Sequence, residues 1–157
     1  MEGVLIIMSA VGGESGEREA NLISQLYVWN RQTQLGKVFS SSTMFKLPLG
    51  SQRSPDAAWV KLSRWNTVSN DERKKFPPLA PDFVVELRSR TDKLSDLQNK
   101  MWEYQDNGVK LGLLINLQDK QVEIYRFGQD VELLESPLSI DCDAVMSGFN
   151  LDLSEIF

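Results

Sequence analysis

Apolar residues recur along the chain with two different periods, and these periods predict strands alternating with helices. Residues 3–8, rich in Val, Leu and Ile, are typical of a strand. Further on, Leu22, Leu26 and Trp29 recur at helical spacing. This stripe predicts an amphipathic helix from about Ser15 to Gln34.

The rest of the chain alternates in the same way. Gly36 is expected to end the first helix, and Gly108 the second, which the apolar stripe predicts over Lys93–Asn107. Between residues 62 and 81 we expect a long connection with one capped helical turn. A short element is expected near Leu151–Phe157. The strand candidates are Lys37–Ser40, Met44–Leu47, Ala57–Lys61, Pro81–Ser89, Lys110–Asn116, Gln121–Phe127 and Asp130–Leu134.

Composition and length fit one globular domain over residues 1–157. Hydrophobic residues make up 41% of the chain and charged residues 25%, which is ordinary for a globular protein with one core. No apolar stretch is long enough to cross a membrane. The opening MEGVLIIMSAVGG lacks a basic leader and a cleavage site, which favours a strand over a signal peptide. The pattern predicts an α/β (α+β) domain with a central mixed sheet flanked by helices.

The supply of reactive side chains excludes several chemistries. The chain has no histidine and a single cysteine, Cys142, so triads, Cys-His dyads and histidine or thiolate metal sites are excluded. A lone cysteine is typical of a reducing compartment, and we expect a cytoplasmic protein. Any metal would be held by oxygen ligands, which suit Mg²⁺, Mn²⁺ or Ca²⁺.

The formal net charge of −5 counts against a general nucleic-acid binder, because such proteins are usually basic. The argument is limited, since a site built from carboxylates adds negative charge. Net charge also says nothing about local patches.

The segment PDFVVELRS carries an ionisable residue in the middle of an apolar strand. Side chains alternate between faces, so Glu86 shares a face with Asp82, Val84 and Arg88. Burial of a carboxylate is costly unless it is paired or binds a metal. The competing interpretation is a half-exposed edge strand with a polar face.

A second acidic residue, Asp56, stands at the start of the strand Ala57–Lys61 and directly after a proline. Asp in this position is most often a turn former. If the two strands are neighbours, Asp56 and Glu86 could share one divalent cation, which would relieve the repulsion between them.

Basic residues accompany this pair. Lys100 lies at the edge of the apolar face of the second helix, where it could snorkel to solvent or reach towards the carboxylates. Arg88 lies on the Glu86 face and competes for the same role. Continued backwards, the apolar stripe of the first helix passes through Arg18 and Glu14, which line either a cleft or the exposed end of the helix.

Several stretches of the chain resemble one known family. They are LIIMSAVGGESGERE, SSSTMFKLPLGSQRSPDAAWV, PLAPDFVVELRSRTDKLSDLQNKMWEYQDNGVKLGLLIN and QVEIYR. Together they cover most of the chain from Leu5 to Arg126. In content and order they are similar to the Uma-two family, long described as a domain of unknown function and grouped with the PD-(D/E)xK endonucleases. The resemblance implies a restriction-endonuclease-like core and a Mg²⁺- or Mn²⁺-dependent endonuclease acting on DNA.

By position, the resemblance implies roles for individual residues. Asp56 and Glu86 correspond to the metal-binding acids, and Glu14 to the acid of the first helix, so all three are expected catalytic metal ligands. Lys100 corresponds to the catalytic lysine, displaced from the strand to the following helix. The residues expected to support the site or touch the substrate are Arg18, Arg88, Asp96 and Tyr104.

The chain departs from the family pattern at the strand. Position 88 is Arg where Glu-x-Lys would place a lysine, so Lys100 and Arg88 both stay candidates for the basic residue. Members of the family usually carry a further segment before the first strand, and its absence would be expected to weaken the core or leave a dimer surface open. Related domains form two-fold dimers, and a homodimer is expected here.

Two other functions compete with a nuclease. One is a catalytically inactive relative that keeps the fold to bind nucleic acid or a protein, which the acidic charge and the missing strand lysine favour. The other is a plain interaction domain in which tryptophans line a partner surface, although aromatic residues more often belong to the core. These tryptophans are Trp29, Trp59, Trp65 and Trp102.

Overall fold

The computed structural model describes residues 12–157. The strand predicted at residues 3–8 lies outside the described residues. Within them, one large sheet and two long helices, one on each side of it, account for most of the fold. No helix among residues 12–157 is long and apolar enough to cross a membrane.

Residues 12–157 contain two long helices and two single-turn helices. The long ones are α1 (Gly13–Thr33) and α4 (Leu94–Asp106), close to their predicted bounds. The single-turn helices α2 (Leu62–Trp65) and α3 (Asn70–Arg73) lie in the predicted connection. Ser69 and Glu72 form a capping box at the start of α3, each side chain accepting from the other residue's backbone amide.

Six strands form one mixed sheet in the order β1-β4-β5-β6-β7-β8. Among the described strands of this sheet, only β5 and β6 are parallel, and the other four pairs are antiparallel. Two further two-stranded ribbons, β2-β3 and β9-β10, lie outside this sheet. The strands are β1 (Gly36–Ser40), β2 (Phe45–Lys46), β3 (Gln52–Arg53), β4 (Ala57–Lys61), β5 (Phe83–Leu87), β6 (Leu111–Asn116), β7 (Gln121–Arg126), β8 (Glu132–Glu135), β9 (Ser139–Asp141) and β10 (Asn150–Asp152).

The sheet separates two apolar layers, one under each long helix. The buried stripe of α1 packs with Phe83, Val85 and Leu87 of β5 in one layer. The apolar face of α4 packs with Val84 of β5 and Leu114 of β6 in the other. Alternation along β5 therefore works as predicted, and Glu86 points to the α4 side.

The end of α1 differs from the prediction. Gln34, with φ 56°, adopts the left-handed conformation at the C-cap, and its amide donates to the Asn30 carbonyl. Gly36 instead begins β1. A Cβ at position 36 would lie 2.3 Å from the Val60 carbonyl oxygen and 2.4 Å from the Trp59 ring. This glycine is thus required by close packing of β1 on β4 and not by the helix end.

Replacing Gly36 with alanine is expected to destabilise the protein by about 1–3 kcal/mol, because neither a backbone carbonyl nor a packed indole can move aside cheaply. The control is Gly112→Ala, where the new Cβ would first meet the flexible end of Met101, at 2.7 Å. Urea denaturation of both variants measures the difference. A G36A loss no larger than that of G112A would contradict the packing argument.

Candidate active site

The pairing of β4 with β5 brings the two predicted acids together. Ala57 lies opposite Val85 in this antiparallel ladder, so the next positions along the register are Asp56 and Glu86. The Leu87 amide donates to Asp56 Oδ2 at 2.7 Å. This bond continues the contact between the strands by one residue and fixes the Asp56 carboxylate beside β5.

Glu86 is deeply buried, and β5 is an interior strand of the sheet and not an edge. The Tyr104 hydroxyl, on α4, donates to Glu86 Oε2 at 2.7 Å, and Lys100 Nζ lies 3.5 Å from Glu86 Oε1. The interpretation of Glu86 as part of a half-exposed edge strand is therefore wrong. Its carboxylate is held by two residues one helical turn apart on α4.

Both acids have raised pKa values. Burial, then the neighbouring Glu86 charge, raises the pKa of Asp56 from 3.8 to about 7, against the lowering effect of the Leu87 amide. Burial also raises the pKa of Glu86, although Lys100 and Tyr104 oppose the shift. Two carboxylates that resist ionisation beside each other are typical of a site that a cation completes.

Lys100 and Arg88 both line the cleft of about 240 Å³ that contains the acids. The Arg88 guanidinium contacts residues other than the acid pair. Its Nη1 donates to Asn116 Oδ1 at 3.2 Å and lies 3.4 Å from Asp119 Oδ2. Its Nε donates to the Asp92 carbonyl. Lys100, by contrast, is directed at Glu86. Of the two basic residues, only Lys100 contacts an acid of the pair.

The first-helix acid expected at Glu14 does not join the pair. Its side chain is 87% exposed, forms a 3.5 Å ion pair with Arg18, and lines a second cleft beside the first. Glu19, one turn further along α1, lines the cleft with Asp56, and its charge contributes to the raised pKa of Asp56. Ser41 Oγ donates to Glu19 Oε1 at 3.2 Å.

Sequence reasoning missed Glu19 because it extended the stripe of α1 backwards in steps of four. Glu19 lies three residues before Leu22 and seven before Leu26, a spacing that also keeps one helix face. Ser15, four residues earlier still, lines the same cleft. An alternating step of three and four would have found both.

The other residues predicted to support the site differ in whether they contact the acid pair. Tyr104 touches Glu86 directly. Arg18 Nε donates to the Ile156 carbonyl at 2.8 Å and so ties α1 to the chain's last residues. Asp96 is exposed on the first turn of α4 and does not line the cleft. Asp92, which was not predicted, lines the cleft and accepts from both the amide and the hydroxyl of Ser89.

The donor set of the cleft fits a hard divalent cation. Its acids supply only carboxylate oxygens, the ligands that Mg²⁺ and Mn²⁺ prefer. The raised pKa values of the pair come first from burial, and a bound cation would offset the cost of keeping buried carboxylates charged. Among residues 12–157, no three Asp, Glu or Cys side chains lie close enough to form a complete metal site. An ion held here would therefore draw further ligands from solvent or substrate.

A mixed sheet between two helical layers, with acids on neighbouring strands and a lysine on the following helix, defines a restriction-endonuclease-like α+β fold. The chain belongs to the Uma2 family, whose description is "Putative restriction endonuclease" and which matches residues 1–154. The resemblance inferred from the sequence is thus confirmed. No curated protein matches the chain.

A solved structure has the same fold. It is the crystal structure of a protein from Anabaena variabilis described as a "putative nuclease belonging to DUF820". The two are 16% identical and superpose with a TM-score of 0.77, over 95% of this chain and 83% of the other. The superposition confirms the predicted central mixed sheet flanked by helices.

Proposed function

We propose that this protein is a divalent-metal-dependent endonuclease that hydrolyses phosphodiester bonds in DNA. Membership of the Uma2 family supports a nuclease. The observation that carries the proposal is the pairing of two acids with raised pKa values, Asp56 and Glu86, under one lysine in an open cleft.

In this proposal Asp56 and Glu86 bind Mg²⁺ or Mn²⁺, and solvent or substrate completes the ligand set. Glu19, and not Glu14, is the acid of α1 that lines the same cleft, beyond the pair. When bound, the ion supplies Lewis-acid polarisation of the scissile phosphate and activation of water. The Tyr104 hydroxyl orients the Glu86 carboxylate through its 2.7 Å hydrogen bond, which is the usual task of a residue behind a metal ligand.

Lys100 contributes positive charge where the transition state gains negative charge. Its Nζ is 3.5 Å from Glu86 Oε1, and its side chain is 29% exposed, so it can reach both the acid pair and a substrate in the cleft. Before substrate arrives, the same ammonium group offsets part of the repulsion between the carboxylates.

The direct test is conversion of supercoiled plasmid DNA to nicked or linear forms with Mg²⁺ or Mn²⁺, and with EDTA as the negative arm. Circular DNA has no ends, so its cleavage identifies an endonuclease. Cleavage that proceeds equally well in EDTA would contradict metal dependence.

The choice between the two basic residues gives a second test. Lys100→Met is expected to lower the cleavage rate of the folded protein by about 10²–10³-fold, the range for loss of one group that stabilises transition-state charge. It should also lower the melting temperature, because the buried Glu86 carboxylate loses its ion pair. Arg88→Met is expected to act mainly on stability, because it removes the contacts with Asn116 and Asp119. Plasmid nicking and thermal melting of both variants decide the assignment, and a folded K100M enzyme with full activity would reverse it.

The second candidate is an inactive nuclease-fold protein that binds nucleic acid or a protein partner. The observation that favours it is that residues 12–157 hold no group of three metal-binding side chains. Calorimetric titration separates the two functions, because a binding module of this kind needs no Mg²⁺ or Mn²⁺ and would release no heat with either. The homodimer suggested by the resemblance stays a prediction, which sedimentation velocity can test.

A further inference from the structure

A second cleft, of about 560 Å³, adjoins the acid-lined one, and the two share Ser15, Arg88, Ser89 and Leu117. We propose that this second cleft, called the arginine cleft below, binds the sugar-phosphate backbone of the DNA strand beside the bond that is cut. The inference rests on the proposed nuclease function and adds to it the place where the substrate is held.

The two clefts differ sharply in charge. The acid-lined cleft contains Glu19, Asp56, Glu86 and Asp92 against two basic residues. The arginine cleft contains Arg18, Arg88 and Arg90 against one acidic residue, Glu14. One continuous groove therefore passes from a region suited to a cation to a region suited to phosphate.

This distribution matters because the whole chain carries a net charge of −5. General attraction to DNA is therefore not available, and affinity for phosphate must come from a local surface. Three arginines that line a groove leading into the acid-lined cleft are such a surface.

The three arginines are held in different ways. Arg88 is pinned by Asn116 and Asp119, and Arg18 by the Ile156 carbonyl. Arg90 is exposed, and its side chain forms no ion pair among residues 12–157. Arg90 is thus the residue whose guanidinium can contact phosphate without breaking an internal bond of the described fold.

Side-chain hydrogen bonds hold the backbone next to Arg90 in place. Gln118 Nε2 donates to the Ser89 carbonyl at 2.9 Å, and Asp92 accepts from the Ser89 amide at 2.8 Å. Arg90 therefore extends from a braced turn directly after β5, the strand that carries Glu86. A phosphate bound by Arg90 would lie at a fixed offset from the acid pair, which is what positions a strand for cleavage.

The test is binding of a fluorescein-labelled 16-base-pair DNA duplex, measured by anisotropy in EDTA at several salt concentrations. Arg90→Glu is expected to weaken binding by about tenfold or more at low salt, and Arg90→Ala to lower the slope of log K against log[salt] by about one. The matched control is Arg31→Glu, which reverses an exposed arginine in the last turn of the same helix that begins at the cleft.

Equal binding by R90E and R31E would overturn the inference, and so would a wild-type protein that does not bind the duplex. Plasmid cleavage, measured in parallel with Mg²⁺, keeps the two proposals apart. A protein that binds through Arg90 but does not cut supports the arginine cleft and contradicts the nuclease. A protein that cuts, with R90E binding DNA and cutting as well as wild type, contradicts only the arginine cleft.

Discussion

Replacing Glu86 with glutamine is expected to lower metal-dependent DNA cleavage by more than about 100-fold, because even partners outside the metal's own ligand shell are worth 10–100-fold. Glutamine keeps the shape of the side chain and can still accept the hydrogen bond from Tyr104. It removes the charge that would hold the cation. The fold should therefore survive while the activity is lost.

The chain offers a closely matched control in Glu123. It is also a buried carboxylate, and it lies on β7 two strands away, in the same cross-strand row as Glu86 through Leu114. Its oxygens accept from Gln98 and Tyr125, and it does not line the acid-lined cleft. Glu123→Gln should leave plasmid nicking close to wild type. Similar losses in both variants would show that Glu86 acts through the core and not through a metal.

Replacing Asp56 with asparagine is expected to stabilise the metal-free protein at pH 8. The pKa of Asp56 is about 7 in the folded chain against 3.8 for the free group, so the folded state favours the protonated form. The stabilisation that the protonated Asp56 side chain contributes to the folded state is fully present below pH 4. It is lost as the pH rises towards and through 7, because the buried carboxyl group then ionises. The difference in pKa sets an upper limit of ~4 kcal/mol.

Asparagine cannot ionise, so D56N avoids that loss and keeps an oxygen for the Leu87 amide. Allowing for partial exposure of the site, a gain of about 1–3 kcal/mol should raise the melting temperature in EDTA at pH 8 by roughly 3–10 °C. The gain should shrink towards pH 4. Stability that must be given up for function is common at active sites.

The control for D56N is Asp82→Asn, at a buried aspartate that is paired. Asp82 Oδ2 accepts from the Lys61 amide at 2.7 Å and from Arg64 at 3.0 Å. The same substitution there removes an ion pair and should lower the melting temperature. If D56N also melts below wild type in EDTA, the electrostatic cost assigned to the acid pair is wrong.

Sequence patterns predicted well the elements that bury many apolar side chains. Helices α1 and α4 bury one face, and this imposes a period on their apolar residues. Strands β5, β6 and β7 are buried on both faces and are visible instead as short runs of mostly apolar residues. The two-residue strand β3 and the three-residue strand β9 have no such period. Each pairs with a strand close to it in sequence, β3 with β2 and β9 with β10, and two or three residues are too few to show a period.

The candidate site divides in the same way. Asp56 and Glu86 could be singled out because each interrupts an apolar or turn pattern, and the structure makes them neighbours. Glu19 could not be preferred to Glu14 by charge, and only the rotation of α1 against the sheet decides which one faces the acid-lined cleft. Arg88 and Lys100 differ in the residues that their side chains contact, Asn116 for Arg88 and Glu86 for Lys100. Sequence spacing does not encode these contacts.

The register of β4 against β5 also bears on how such a protein can vary. The two acids are held opposite each other by pairing of Ala57 with Val85 and by the Leu87 amide, not by the chain between them. Residues 69–76, most of which are exposed, could therefore lengthen or shorten without moving the acids, as surface connections generally can. One residue inserted within β4 would instead turn every following side chain to the opposite face. An insertion should therefore be tolerated in this connection but not within β4, because the β4–β5 pair positions both acids.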